Sequence, residues 1–365
     1  MSSLSVIIPT RNRNHTLSFL LKLLFSNSNN DFEVIVCDNS DSRSVSVDQY
    51  ADDPRLRYYF SDAPISMKDN CEYAVSLAKG DFLCMLGDDD GLILDEAFKV
   101  IDYLRKYKLD YALSADATFY WPGLQRQIFG AREYGFEVGY QTVKTPVELD
   151  PKKELKKVLA GGGCKILGLP RLYQGIVSRA VIDNIRNSVG AVFNAPMPDM
   201  SSSVAIALFA DRGVLLETPF VINGVSGNSG GGKGAAGKHS GLIKDAYGLS
   251  QQDKDRWPHQ IPPVWTGGTV WAASLLITLE SLGSDDYTDS INLNAINGYL
   301  IAFNPVLFLR HVGLGNVGLS GIYTALNYLV KRAGSLISNG YLYVKLFSGF
   351  GVRSMDIGSY INAKR

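Results

Sequence analysis

The chain has 365 residues, 46% hydrophobic and 20% charged, with 36 Lys and Arg balanced by 36 Asp and Glu. That length allows one large domain or two around a buried core, and the zero formal charge argues against a general nucleic-acid binder, which is normally basic. The four cysteines are widely spaced and include no CxxC pair. Buried reduced thiols are therefore expected rather than zinc ligands or disulfides, and with them a cytoplasmic or otherwise reducing compartment.

In chain order, the amino-terminal part alternates strand and helix patterns. Leu4–Pro9 reads as a buried strand, and His15–Phe25 places Leu17, Leu20, Leu21 and Leu24 on one helical face. No basic-then-apolar leader precedes that strand, so no signal peptide is expected. Phe32–Cys37 is a second strand, ending in the polar turn Asp38-Asn39-Ser40. Ser66–Lys79 is a helix with Ser66 as its cap and Gly80 as its stop. Asp81–Leu86 is a strand running into Gly87-Asp88-Asp89-Asp90, followed by the helix Asp95–Tyr107 and the strand Leu109–Ala115. This rhythm predicts an α/β fold with a mainly parallel sheet between helices.

From Asp116 to Pro170 the pattern is less regular and predicts an elaboration over one sheet edge, containing the basic helix Pro151–Leu159. A helix over Ser201–Phe209 and strand character over Val214–Ile222 follow. Gly224–Gly241 is rich in Gly, Ser and Lys, and reads as a loop. Beyond Trp257 the chain becomes helical, with Leu319, Ile322, Tyr323, Leu326 and Leu329 at helical spacing. Thr269–Leu279 is apolar but too short to span a bilayer; peripheral contact with a membrane surface stays open.

Asp88-Asp89-Asp90 is the most informative feature. Three adjacent carboxylates repel one another unless a cation or a donor network is supplied. A strand ending in such a cluster presents it at the carboxyl edge of a sheet, where open α/β folds bind ligands. An oxygen-only set suits Mg²⁺ or Mn²⁺ carrying a phosphate ligand; the alternative is a polar turn before the next helix.

Three turns at successive strand ends, Pro9-Thr10-Arg11-Asn12, Asp38-Asn39-Ser40 and Gly87-Asp88-Asp89-Asp90, together resemble the family 2 glycosyltransferases. The opening Val6-Ile7-Ile8-Pro9-Thr10-Arg11-Asn12-Arg13, the helical Asp69-Asn70 and Gly80-Asp81-Phe82 before the acidic run belong to the same pattern. The resemblance is clear over residues 4–110 and weaker to about 225. It implies a GT-A (Rossmann-like), mainly parallel mixed sheet flanked by helices, with a helical carboxyl-terminal extension. It also implies inverting transfer of a sugar from a nucleoside-diphosphate donor, UDP or dTDP, to a hydroxyl of a glycan or lipid-linked acceptor. The setting would be cell-surface polysaccharide or glycolipid synthesis. A non-catalytic nucleotide-sugar or glycan-binding protein of the same fold, or a sugar nucleotidyltransferase, is the alternative.

On this resemblance Pro9, Thr10, Arg11, Asn12, Asp38, Asn39, Asn70 and Asp88 would bind the donor, with Asp38 accepting from the nucleobase. Asp88, Asp89 and Asp90 would be shared between the donor and a Mn²⁺ or Mg²⁺ ion. The family's usual Asp-x-Asp-Asp has Gly87 at its first position here, which leaves the division of labour open. Asp199, before the helix Ser201–Phe209, occupies the place of the general base, with a helix N-cap as the alternative. Lys233 in the glycine-rich loop is a candidate diphosphate ligand, and His239 at its end a further candidate metal ligand. Trp121, Tyr173 and Gln174 are candidates for the acceptor side, with core packing as the alternative. The expected organisation is 1–225 for the catalytic domain, 226–256 for a lid loop and 257–365 for the helical region.

Overall fold

A computed structural model of the chain describes residues 2–124, 136–138, 145–229, 240–246, 249–313, 315, 317–347 and 356–364. The first strand, β1 (Leu4–Thr10), is apolar on both faces and buries Leu4, Val6, Ile7 and Ile8 completely, as a strand covered by helices on both sides must. Helix α1 (Asn14–Phe25) buries the predicted Leu17, Leu20, Leu21 and Leu24. Strand β2 (Phe32–Asp38) lies parallel to β1 in a register that sets Thr10 beside Asp38. Strand β3 (Leu56–Phe60) continues that edge. Helix α2 (Met67–Ser76) starts where the Ser66 side chain accepts from the Asp69 N–H. Strand β4 (Phe82–Met85) lies parallel on the other side of β1 and leads into the acidic run.

Beyond it come β5 (Gly91–Leu92), α3 (Leu94–Tyr107), β6 (Tyr111–Leu113), β7 (Thr118–Tyr120), β8 (Phe136–Val138), β9 (Val147–Leu149) and α4 (Pro151–Ala160). They are followed by β10 (Gly175–Ser178), α5 (Arg179–Val189), α6 (Pro198–Phe209), β11 (Gly213–Leu215) and β12 (Val221–Val225). The main sheet has the order β3-β2-β1-β4-β10-β6-β11-β9. Its β1–β4 half is parallel; β10 inserts antiparallel between β4 and β6, and β9 runs antiparallel at the edge. The predicted mainly parallel α/β sheet is therefore present. A smaller sheet, β5-β12-β7-β8, lies over the acidic run.

One expectation from the sequence changes. The strand character over Val214–Ile222 resolves into β11 and β12, which belong to different sheets. Pro219 supplies no amide hydrogen between them, and the Ser114 hydroxyl instead accepts from the Phe220 and Val221 amides. After the ribbon of β13 (Ser240–Leu242) and β14 (Val264–Thr266), helix α7 (Gly267–Ser281) packs Ala272 and Leu275 against Leu155 of α4 and Met200 and Val204 of α6. Helices α8 (Leu293–Phe303) and α9 (Leu319–Phe347) follow. Helix α10 (Ile357–Lys364) packs against α1 and β5, where Ile357 and Ile361 join Phe119, Trp121 and Ile222 in one buried cluster. All four cysteines are buried free thiols.

Candidate active site

The ends of β1, β2 and β4 lie side by side, so their three turns share one sheet edge. Asp88, Asp89 and Asp90 are 0, 2 and 0% exposed, and every carboxylate is met by donors. Thr10 Oγ1 donates to Asp88 Oδ2 at 2.5 Å and Thr16 Oγ1 to Asp88 Oδ1 at 3.1 Å. The Arg13 guanidinium stands 3.1 Å from Asp88 and 3.5 Å from Asp89. From β12 and the turn after it, Ser226 donates to Asp89 Oδ2 through its amide and hydroxyl, and the Gly224 amide donates to Asp90 Oδ1 at 2.7 Å. The Gly87 amide donates to Asp90 Oδ2. Gln174 Nε2 reaches Asp90 Oδ1 at 3.0 Å from a left-handed backbone, φ +64°, a conformation held against local strain.

Burial pushes Asp88 and Asp90 up to about 7; Arg13 opposes it at Asp88, and the Asp89 charge reinforces it at both. Unfolded carboxylates titrate near pH 3.9. Between about pH 4 and about pH 7 the folded, metal-free protein thus holds more protons than the unfolded chain, and its stability falls as pH rises through that window. In EDTA, the urea midpoint is expected to be lower at about pH 8 than at about pH 5.5, and excess Mn²⁺ should narrow the gap. A midpoint unchanged across that range would show both carboxylates to be ionised throughout.

The glycine at position 87 has a steric cause. A Cβ there would lie 2.8 Å from Tyr173 Oη, 3.0 Å from Asp89 Oδ1 and 3.3 Å from Asp90 Oδ2. The Tyr173 hydroxyl fills the place that a carboxylate at 87 would need. Two carboxylate oxygens and this hydroxyl therefore converge on one small space, a hard, oxygen-only set. Among the described residues no three His, Cys, Asp or Glu side chains gather as metal ligands. One or two carboxylates completed by phosphate oxygens is, however, how Mg²⁺ is commonly held, so Asp89 and Asp90 fit a divalent ion that arrives with a diphosphate.

The other expected donor-binding residues divide by what they touch. Arg11 and Asn12 are exposed at the rim. Asn12 (φ +55°) exchanges hydrogen bonds with Asp41 and donates its amide to Ser40 Oγ. Pro9 is half-buried beside them. Asp38 is 1% exposed and accepts from the Ser40 amide and hydroxyl, the Ser44 amide and the Tyr58 hydroxyl. Burial raises its carboxyl, but these donors outweigh burial and hold it below the ordinary range. A nucleobase would reach it only by displacing one of them. Asn39 donates to the Ile65 carbonyl, and Asn70, buried on α2, donates to the Cys37 carbonyl at the end of β2. Both position backbone. Lys233 and His239 lie outside the described residues.

Asp199 is in the first turn of α6, while Met197 takes the N-cap position without a side-chain hydrogen bond. One of its carboxylate oxygens accepts from the Met200 amide at 2.8 Å and the other from Trp271 Nε1 of α7 at 3.0 Å. Burial holds its carboxyl above the ordinary range against the Met200 amide, Trp271 and the charge of Arg171. Arg171 is itself depressed by burial, with Asp116 and Asp199 opposing, and its Nε is buried without a hydrogen-bond partner. Three peptide units from Arg171 to Gln174 cover at most about 11 Å of chain, so this segment links the surroundings of Asp199 to Asp90. Trp121 is core: it packs at a tilt against Phe19, meets Phe119 edge to face, and donates its indole N–H to the Asp89 carbonyl. Arg13, Thr16, Gly224 and Ser226 went unassigned from the sequence. Arg13 alone had a visible signal, since it closes the motif that begins at Val6.

Residues 5–135 match the family model described as glycosyl transferase family 2, on the segment that carries the turns and the acidic run. A Campylobacter jejuni protein, GalNAc(5)-diNAcBac-PP-undecaprenol beta-1,3-glucosyltransferase, is 34% identical over 100 residues, covering 26% of this chain and 31% of the relative. The chain thus matches about a third of that relative's length. Among solved structures, S. aureus TarS 1-349 aligns with 15% identity over 92% of both chains at a TM-score of 0.46. Its complex with UDP-GlcNAc aligns with 14% identity, the same coverage of each chain and the same score.

Proposed function

We propose that the chain is a metal-assisted, inverting glycosyltransferase that moves a sugar from a nucleoside-diphosphate donor to a hydroxyl. The observation that carries this reading is the convergence of Thr10, Arg13 and the three carboxylates at one sheet edge, within the segment that matches family 2. A divalent ion held by Asp89 and Asp90 would supply Lewis-acid stabilisation of the departing diphosphate. The protein's own part is to keep those carboxylates aligned through Ser226, Gly224 and Gln174, and to place the Arg13 cation beside Asp88 and Asp89. Asp199 takes the proton of the acceptor hydroxyl at its carboxylate, oriented by Trp271 and kept basic by burial. UDP or dTDP sugars are the donors expected from the family resemblance. The name of the C. jejuni relative favours a lipid-linked glycan as the acceptor class, and four buried free thiols suit a reducing compartment such as the cytoplasm.

A thermal-shift panel of nucleoside diphosphates and nucleotide sugars, with and without Mn²⁺, tests the reading. A ligand at about a hundred times its Kd stabilises the native state by about 2.7 kcal/mol, a shift easily read. One nucleotide class should stabilise only with the ion present, and its sugar should be slowly hydrolysed. Tight nucleotide binding without turnover on any acceptor would instead make this a binding protein.

A further inference from the structure

Helix α9 is unusual in what it leaves outside. Its inner stripe is small: Gly321 and Ala325 press against Gly298 of α8, where a Cβ would come within 2.6 Å of the Gly321 carbonyl. Its outer stripe carries Leu319, Ile322, Tyr323, Leu326, Leu329 and Val330, all exposed, Leu319 by 87% and Val330 by 70%. The preceding helical turn Pro305–His311 anchors Phe308 inside and exposes Val306 and Leu309. Contiguous apolar surface of this kind on a water-soluble face marks a docking site. No helix among the described residues is long and apolar enough to cross a membrane.

Charge decides what docks. From residue 290 to residue 355 the sequence has no Asp or Glu but has Arg310, Lys331, Arg332, Lys345 and Arg353, in a chain whose total is balanced. A second copy meeting this face symmetrically would set Lys331 against its own counterpart, whereas an anionic surface neutralises it. At the edge of the stripe, a cavity of about 240 Å³ is lined by Lys165 and Lys331 together with Gly161, Thr324, Asn327 and Tyr328. Lys165 Nζ stands 4.9 Å over the Tyr328 ring. Burial, and then the nearby Lys331, hold Lys165 below its ordinary pKa. Val158 and Leu167 complete the lining, so two cations face a cavity that is part polar and part apolar, which suits the phosphate of an amphiphile.

We infer that the outer face of Leu319–Val330 lies in the plane of an anionic phospholipid surface, and that the Lys165–Lys331 cavity receives a lipid phosphate. The described stripe is about 18 Å long and needs no insertion beyond its apolar side chains. This inference stands independently of the proposed chemistry.

Sedimentation of the full chain with vesicles tests it. The protein should pellet with mixed phosphatidylcholine–phosphatidylglycerol vesicles, bind phosphatidylcholine alone far more weakly, and be partly released by salt. Tyr323→Ser combined with Leu326→Ser should lower partitioning by about tenfold or more, at exposed positions where an unchanged melting temperature confirms folding. Lys165→Gln with Lys331→Gln should remove most of the preference for the anionic lipid while the apolar contact persists. Absence of binding to the mixed vesicles, or undiminished binding by the serine variant, would overturn the inference. So would a stable oligomer that Leu326→Ser dissociates.

Discussion

Asp199→Asn is expected to lower kcat for sugar transfer by about 10²–10⁴-fold, the usual range for loss of a positioned proton acceptor, while donor binding stays nearly unchanged. The substitution keeps the size of the side chain but replaces one acceptor oxygen by an NH₂ group. One of the two present donors, the Met200 amide or Trp271 Nε1, then faces a hydrogen rather than a lone pair. That mismatch costs about 1–3 kcal/mol locally, so the melting temperature should fall modestly. Calorimetric titration of the donor separates the two effects, because neither contact touches the acidic run. Trp271→Phe serves as the companion variant: it removes the orienting bond but leaves the carboxylate, and a partial loss of kcat is expected. Transfer that survives in Asp199→Asn would reduce Asp199 to an anchor between α6 and α7.

The second large effect is expected from a single methyl group. In Gly224→Ala the new Cβ would sit 1.6 Å from the Asp89 carbonyl oxygen and 2.3 Å from its carbon, distances no side chain can relieve by rotating. Strand β12 or the acidic turn must move. Either motion breaks the Gly224 and Ser226 bonds to the carboxylates and the Trp121 bond to the Asp89 carbonyl. Losses above about 4 kcal/mol come from buried clashes of this kind, and urea denaturation should show one of that order. Whatever fraction folds should have lost its Mn²⁺-dependent stabilisation by nucleotide. Native stability in Gly224→Ala would mean that β12 does not lie against the acidic run.

These two sites differ in how far the sequence alone reveals them. β1, α1, β2 and β4 were legible because strand and helix periodicities are local, and because each turn ends a buried run. The order of those turns announced the sheet edge they share. Asp199 was singled out only through its place in a family pattern, and its hydrogen bond from Trp271, 72 residues on, left no mark in the sequence. The cover over the triplet was invisible for the same reason. Ser226 meets Asp89 across 137 residues and Gly224 meets Asp90 across 134, and no periodicity encodes a pairing of that span. The antiparallel insertion of β10 also escaped a reading based on βαβ rhythm, since a strand of four residues carries no signal of its direction. Gly87 read as a departure from pattern, and only the Tyr173 hydroxyl beside it supplies the reason.

The packing of α10 beside the acidic run bears on the order in which the site is assembled. Ile361 lies close enough to Gly91 that a Cβ on that glycine would come within 2.9 Å of its Cδ1. The residue that directly follows the three carboxylates is therefore walled by a side chain 270 positions further along the sequence. Contacts of such span are formed only after the entropy of closing a long loop has been met. Strands β1, β2 and β4 can thus pair before this wall is in place, and the acidic turn is expected to gain its full packing late in folding.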